Sequence, residues 1–197
     1  VNFLAHIFLS FGDKEITIGN FIADSIRANK FQHLPTKVQK GIKLHRHIDT
    51  YTDAHSIPKI SSRRLHANYS HYSRVIVDIY YDHFLAKNWS KYSDTPLDIF
   101  VEDFYDLLED NYEILPEGVK RMMPYMISDN WLYNYSKMEG IGNVLNGMNR
   151  RTKNKSKMNF AIIDLEEHYY SFEKEFTEFF EELITFSKHK YISLLSK

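Results

Sequence analysis

The stretch Gly41-Ile-Lys-Leu-His-Arg-His-Ile-Asp-Thr-Tyr-Thr-Asp53 concentrates two histidines, an arginine and two aspartates in residues that otherwise suit a helix. At about 3.6 residues per turn, Ile42, His45 and Asp49 share one face, with Asp53 a turn further along. An imidazole one turn from a carboxylate, on a face that also carries apolar residues, offers a divalent metal two ligands. Arg46, one residue round from His45, is placed to bind a phosphate oxygen there. The same spacing also fits a solvated polar helix with one hydrogen-bonded core histidine, so the surroundings decide.

Those surroundings are rich in the same residue types. Eight of the ten histidines fall within the first 83 residues, together with six aspartates. Aspartate is a poor helix former in helix interiors, so its repeated use there asks for a reason. His6 sits in an apolar run, where it reads equally as a ligand or as a core histidine. Asp24 is a ligand candidate or the i, i+3 partner of Arg27. Asp82-His83 lies between large apolar groups, so one of the two must face inward. Asp78 is expected toward solvent, and His47, His55, His66 and His71 on the surface. Helices distant in sequence that each deliver His or Asp near an apolar face predict one polar pocket inside a bundle.

The elements needed to position these groups are helices. With 197 residues, 43% hydrophobic and 26% charged, the chain suits one domain with a sizeable core, and seven glycines and five prolines leave room for long helices. No cysteine is present, so any metal must use His, carboxylate and water. No apolar run is long enough to span a bilayer, and Asn2-Phe-Leu-Ala-His6 lacks the features of a signal peptide; a cytoplasmic setting is expected. Residues 2–10 form a short helix or strand, and 15–29 a helix through Ile18, Ile22 and Ile26. Pro35 is placed to open the helix of the central stretch. Ser56-Ile57-Pro58 breaks the chain before a helix over about 59–71, and 73–88 is strongly helical. Thr95-Pro96-Leu97-Asp98 is a start signal for a helix to about Asn111. Pro116 and Pro124 bracket a short element, 128–151 holds two helices split near Gly140 or Gly142, and Ile162 to Ser193 is one long helix or two in series. No alternating strand pattern appears. The fold class is all-α, a single-domain helical bundle, with residues 1–90 carrying most of the site and 91–197 supporting it.

Asn2-Phe-Leu-Ala-His6, Gly19-Asn20 with Ala23-Asp24 and Arg27, His45-Arg46 with Ile48-Asp49 and Thr52-Asp53, Asp82-His83-Phe84-Leu85, Trp89-Ser90, and Val144-Leu-Asn-Gly-Met148 with Arg150-Arg151 together resemble the acyl carrier protein phosphodiesterases. These are regarded as distant relatives of the HD-domain metal-dependent phosphohydrolases. The resemblance runs in order from residue 2 to about Tyr170. It departs at Val1, where the family pattern begins with Met, and at His47, where a relative has a second arginine; no His-Asp dipeptide is present either. What it implies is an HD-like helical enzyme that removes the 4′-phosphopantetheine arm from holo acyl carrier protein, giving the apo form, with a divalent metal that is typically manganese.

On that implication, His6, Asp24, His45, Asp49 and Asp82 are the expected metal ligands. Arg27 and Arg46 would bind the phosphate oxygens, and His83 would either protonate the leaving serine oxygen or itself be a ligand. Phosphate-ester hydrolysis needs accelerations of ~10¹⁵-fold or more, far beyond the ~10²–10⁴-fold of one general acid or base, so a metal carries much of the burden. The carrier proteins are small and acidic, and the run Arg150, Arg151, Lys153, Lys155 and Lys157 is the expected docking surface. The rival readings are an HD-like phosphohydrolase of nucleotides or other phosphoesters, and a non-catalytic helical binding module. Nucleic-acid binding is not expected, because the net charge is −1 and the basic run is short.

Overall fold

Eleven α-helices follow one another, joined by short turns, with no strand among the described residues. This computed structural model describes residues 2–196, so Val1 lies outside it. In chain order the helices are α1 Phe3–Phe8, α2 Lys14–Ile22, α3 Thr36–Ala54, α4 Ser56–Tyr69, α5 Ser73–Lys87, α6 Leu97–Asp110, α7 Glu117–Ser128, α8 Trp131–Asn134, α9 Met138–Arg151, α10 Ala161–Glu167 and α11 Tyr169–Leu195. The all-α expectation holds, and no helix is long and apolar enough to cross a membrane.

Start signals explain most of the boundaries. Asp13 caps α2 by accepting the Ile16 amide at 3.2 Å. Pro35, Pro96 and Pro116 stand immediately before α3, α6 and α7, where a missing N–H costs nothing. Pro58 falls within the first turn of α4 rather than breaking the chain, so α4 opens at Ser56 with the His55 ring accepting the Ile57 amide. Pro124 does not end its element either: α7 runs on to Ser128, held by burial of Met123 and Met126 on either side of the proline. The expected helix over 15–29 is shorter, ending at Ile22 and passing through a single tight turn, Ala23–Ser25.

Two helix contacts need glycine. A Cβ on Gly19 would lie 2.0 Å from the Val38 carbonyl oxygen, and one on Gly41 would lie 2.3 Å from that of Ile16. α2 and α3 therefore cross with their backbones touching, which only glycine allows. Gly140, expected as a break, instead lies inside α9, where a Cβ would meet the Asn134 carbonyl oxygen at 2.0 Å. The split falls before it, between α8 and α9.

The long helix α11 is the spine. It packs against α3, α4, α5 and α10, and its Phe172, Phe176, Phe179 and Phe180 are fully buried with Tyr80, Tyr81 and Phe84 of α5. Some rings meet edge-on, as Tyr80–Phe172 at 5.0 Å and Tyr81–Phe176 at 5.6 Å, and others stack, as Phe176–Phe180 at 4.9 Å. Buried phenol hydroxyls are satisfied, Tyr80 by the Ala161 carbonyl and Tyr81 by Ser61.

Candidate metal centre

The close crossing of α2 and α3 brings Asn20 of α2 against the imidazole of His45 on α3. The Nδ1–H of His45 donates to the Asn20 backbone carbonyl at 2.8 Å. The Asn20 side chain turns the other way: its amide donates to the His6 carbonyl at 2.7 Å and to Ser10 Oγ at 3.0 Å. That fixes its carbonyl oxygen as the acceptor for His6 Nδ1–H at 2.8 Å. One residue thus holds both imidazoles by Nδ1 and leaves both Nε2 atoms facing the same space. This is the outer support that metal-binding histidines use.

Asp49 occupies that space. Its carboxylate stands 3.2 Å from His6 Nε2 and 3.0 Å from His45 Nε2, and Asp24 reaches His45 Nε2 at 3.1 Å. The two rings are stacked, with centroids 3.9 Å apart. Both histidines are buried, whereas the Asp49 side chain is 43% and that of Asp24 73% exposed, so the cluster opens to solvent on its carboxylate side. Among the described residues, His6, His45 and Asp49 are the group of ligand-type side chains whose donor atoms all lie within 4.8 Å of one another. Atoms bound to one ion at ~2.1 Å stand roughly 3 Å apart, which is the spacing of the Asp49 carboxylate from each imidazole. An all-nitrogen-and-oxygen donor set with borderline imidazoles suits a first-row divalent ion.

The electrostatics are those of a site that holds one positive charge between two carboxylates. Burial disfavours the His45 cation, but its hydrogen bonds to Asp24 and Asp49 outweigh that and lift its pKa to about 9. Burial and the neighbouring His45 charge push His6 down to about 4. For Asp49, burial acts upward, yet hydrogen bonds from His45 and His6 hold it well below the ordinary carboxylate range. The His45 hydrogen bond lowers Asp24 against a smaller opposing effect of burial.

The remaining expected residues lie elsewhere. Asp82, expected as a ligand, is fully buried and accepts the backbone amides of Asn2, Leu4 and Ala5 at 3.3, 2.7 and 3.2 Å. It holds the first turn of α1, a six-residue helix too short to persist unaided, and so positions His6 rather than joining it. Burial pushes its carboxyl up, to about 7, against the amides that favour the ionised form. His83, expected as the general acid, has both nitrogens engaged, Nδ1 donating to the Tyr135 carbonyl and Nε2 accepting from the Tyr169 hydroxyl, each at 2.7 Å. Burial lowers its pKa. Asp53 is exposed and lies 3.8 Å from Arg74. Asp78 is half-buried rather than solvent-facing, and burial together with the charges of Asp49 and Asp53 raises its pKa.

Arg46 binds the connection after Asp24. It donates to the Ala28 carbonyl and to Asn29 Oδ1 at 3.4 Å, and its guanidinium lies 5.0 Å over the Phe31 ring. Ala28 has φ +48°, which an alanine keeps only under restraint, and Arg46 supplies it. Arg27, next along that connection, is exposed. Arg150, Arg151, Lys153, Lys155 and Lys157 are all exposed, around a turn braced by Asn149, Thr152 and Ser156.

The residue missed from the sequence is Asn20. Its signal was an amide within the apolar run Ile16, Ile18, Phe21 and Ile22. Its support of both rings required knowing that α2 crosses α3 at Gly19 and Gly41.

Comparison with known proteins adds the family. The acyl carrier protein phosphodiesterase family matches residues 1–183. The chain belongs to the acyl carrier protein phosphodiesterase family. Relatives with the name acyl carrier protein phosphodiesterase include one from Escherichia coli O139:H28, 33% identical over 196 residues, covering 96% of this chain and 99% of the relative. One from Photorhabdus laumondii is 32% identical over 192 residues, 96% of each chain. One from Pectobacterium atrosepticum is 29% identical over 191 residues, 95% of this chain and 98% of the relative. No solved structure matches the chain. Every segment that carries the cluster lies within the matched residues of the family.

Proposed function

We propose that this protein hydrolyses the phosphodiester joining the 4′-phosphopantetheine arm to a serine of holo acyl carrier protein, with a divalent metal held by His6, His45, Asp49 and Asp24. The observation that carries the reading is the convergence of two imidazole Nε2 atoms and a carboxylate in a family whose named members are phosphodiesterases. Manganese is the ion proposed, with magnesium or another divalent ion as the substitute. When bound, it would supply positive charge against the phosphoryl oxygens and a lowered pKa for the attacking water.

The chain's own residues have separate tasks. Asn20 keeps the Nε2 of His6 and His45 directed at the site, and Asp82 keeps α1 in place so that His6 reaches it. Asp49 and Asp24 sit on the solvent side, where substrate must enter. Arg27, on the connection that Arg46 braces, is the proposed contact to a non-bridging phosphate oxygen. The water oxygen bonds to phosphorus, the bond from phosphorus to serine Oγ breaks, and a proton passes to that Oγ, releasing apo carrier protein and 4′-phosphopantetheine. Because both nitrogens of His83 are taken, water at the open side of the cluster is the proposed source of that proton. The basic turn at 150–157 is an outer contact for the acidic carrier body. A kinship with HD-domain phosphohydrolases and a cytoplasmic setting belong to the same reading.

Holo carrier protein incubated with the enzyme and manganese should lose the mass of the arm, and a chelator should prevent it. Cleavage of members of a nucleotide panel with the carrier protein left intact would overturn this substrate.

A further inference from the structure

One cleft away from the candidate metal centre lies a groove of about 480 Å³ between α4 and the start of α5. Its lining includes Lys59, Arg63, His66, His71 and Arg74 with three serines, and no carboxylate. It adjoins a smaller cleft through the shared residues Lys59, Ser62 and Arg74, and that cleft is lined by Thr52, Asp53 and Asp78. Thr52 and Asp53 are one turn beyond Asp49 on α3, and the charge of Asp49 is felt at Asp78. The groove is thus basic ground near the candidate metal site. Ile60 and Val75, each following one of its cations in the chain, are large apolar side chains left exposed.

We infer that this groove docks the acidic protein body of the substrate, an inference that rests on the hydrolase reading above. A phosphodiester carried on a serine hangs by one short side chain, so whichever surface adjoins the metal must touch the protein and not only its arm. Cations at a rim steer and orient an acidic partner, and the exposed Ile60 and Val75 on the same two helices add apolar area outside the lining. The Asp53 contact to Arg74, at 3.8 Å between exposed groups, is weak enough to be exchanged for a partner carboxylate. A nucleic acid fits less well, because the lining offers no phenyl, phenol or indole ring for bases to stack on. Tyr69 and Asn68, at the end of α4, bond Asp164 of α10 and so tie the groove's helix to the element that follows the basic turn.

The test is binding of apo carrier protein, which lacks the arm and needs no turnover, to the wild-type protein and to K59E/R63E. We expect the dissociation constant to rise about tenfold or more in the variant and its salt dependence to flatten, with the thermal midpoint unchanged. The KM for holo carrier protein should rise in parallel. K153E/K155E should weaken binding less. Equal binding by wild type and K59E/R63E, no binding by wild type, or capture of an oligonucleotide in place of the carrier would each overturn the groove. Carrier binding at the groove without any loss of the arm would remove the hydrolase reading and leave the groove standing. Loss of the arm from holo carrier protein by K59E/R63E at the wild-type KM would do the reverse.

Discussion

Two His/Asp pairs in this chain are alike on paper and opposite in the fold. His45 and Asp49 share a helix face one turn apart, and Asp82-His83 are adjacent on α5. Each histidine is buried, and each donates Nδ1–H to a backbone carbonyl, at 2.8 Å for His45 and 2.7 Å for His83. The difference lies at Nε2. That of His45 meets two partly exposed carboxylates, whereas that of His83 is closed off by the Tyr169 hydroxyl. The aspartates differ in the same way: Asp49 faces imidazoles across an open site, and Asp82 is spent on three backbone amides. In these two pairs, the buried histidine whose Nε2 faces partly exposed carboxylates belongs to the candidate site, and the one closed off by a hydroxyl belongs to the scaffold.

Substitutions at the two pairs should separate these roles. The largest effect is expected from Asp49→Ala, which should cut turnover about a thousandfold, the loss of several kcal/mol of metal-derived stabilisation, while the helical circular-dichroism signal stays. Next, Gly41→Ala forces a Cβ into the Ile16 carbonyl and should destabilise by about 3 kcal/mol, with metal uptake lost as α2 and α3 separate; denaturant titration reads the first and calorimetry the second. Asn20→Ala should weaken metal affinity by about 10–100-fold, the usual cost of losing outer support, and an unchanged affinity would show that the rings hold themselves. Asp82→Ala should cost about 1–3 kcal/mol through three orphaned amides. Its metal affinity should fall, because α1 no longer holds His6 in place, but its stoichiometry at saturating ion should stay at the wild-type value, whereas loss of that stoichiometry in a folded variant would erase the contrast between the pairs.

Taken per pH unit, the gentlest expected effect is the pH dependence. A His45 pKa of about 9 means that a proton competes with the ion, so metal affinity should rise about tenfold per pH unit up to that value, with about one proton released. In metal-free protein the sign follows from both rings. His45 is raised above its unfolded value, so its contribution is complete below about pH 6.5 and is lost as pH rises toward 9. His6 is depressed to about 4, so its contribution is lost as pH falls from about 6.5 to 4. Asp82, raised to about 7, acts against His6 across that lower range, so the trend expected in metal-free protein is a thermal midpoint that falls as pH rises from about 6.5 toward 9.

Much of the frame was legible because it is local. Pro35, Thr95-Pro96 and the apolar pattern of residues 73–88 announce their helices directly, and the i, i+4 spacing of His45 and Asp49 places both on one face. What was not legible depends on encounters between helices. Nothing around Asp82 signals that a six-residue helix lies across its carboxylate, and nothing beside His83 signals the Tyr169 hydroxyl 86 residues away. Gly19 and Gly41 gain their meaning only from the crossing, where no Cβ fits. Asn20 carried a signal, an amide among isoleucines, but its meaning needed both rings beside it. Pro124 misled because burial of Met123 and Met126 outweighs one missing hydrogen bond.

The most direct test is a manganese titration followed by electron paramagnetic resonance on wild type, Asp49→Ala, His45→Ala and Asp82→Asn. The cluster predicts saturable binding in wild type, its loss in Asp49→Ala and His45→Ala, and its retention in Asp82→Asn. Wild-type binding in folded Asp49→Ala and His45→Ala would contradict the assignment of the metal centre to the crossing of α2 and α3.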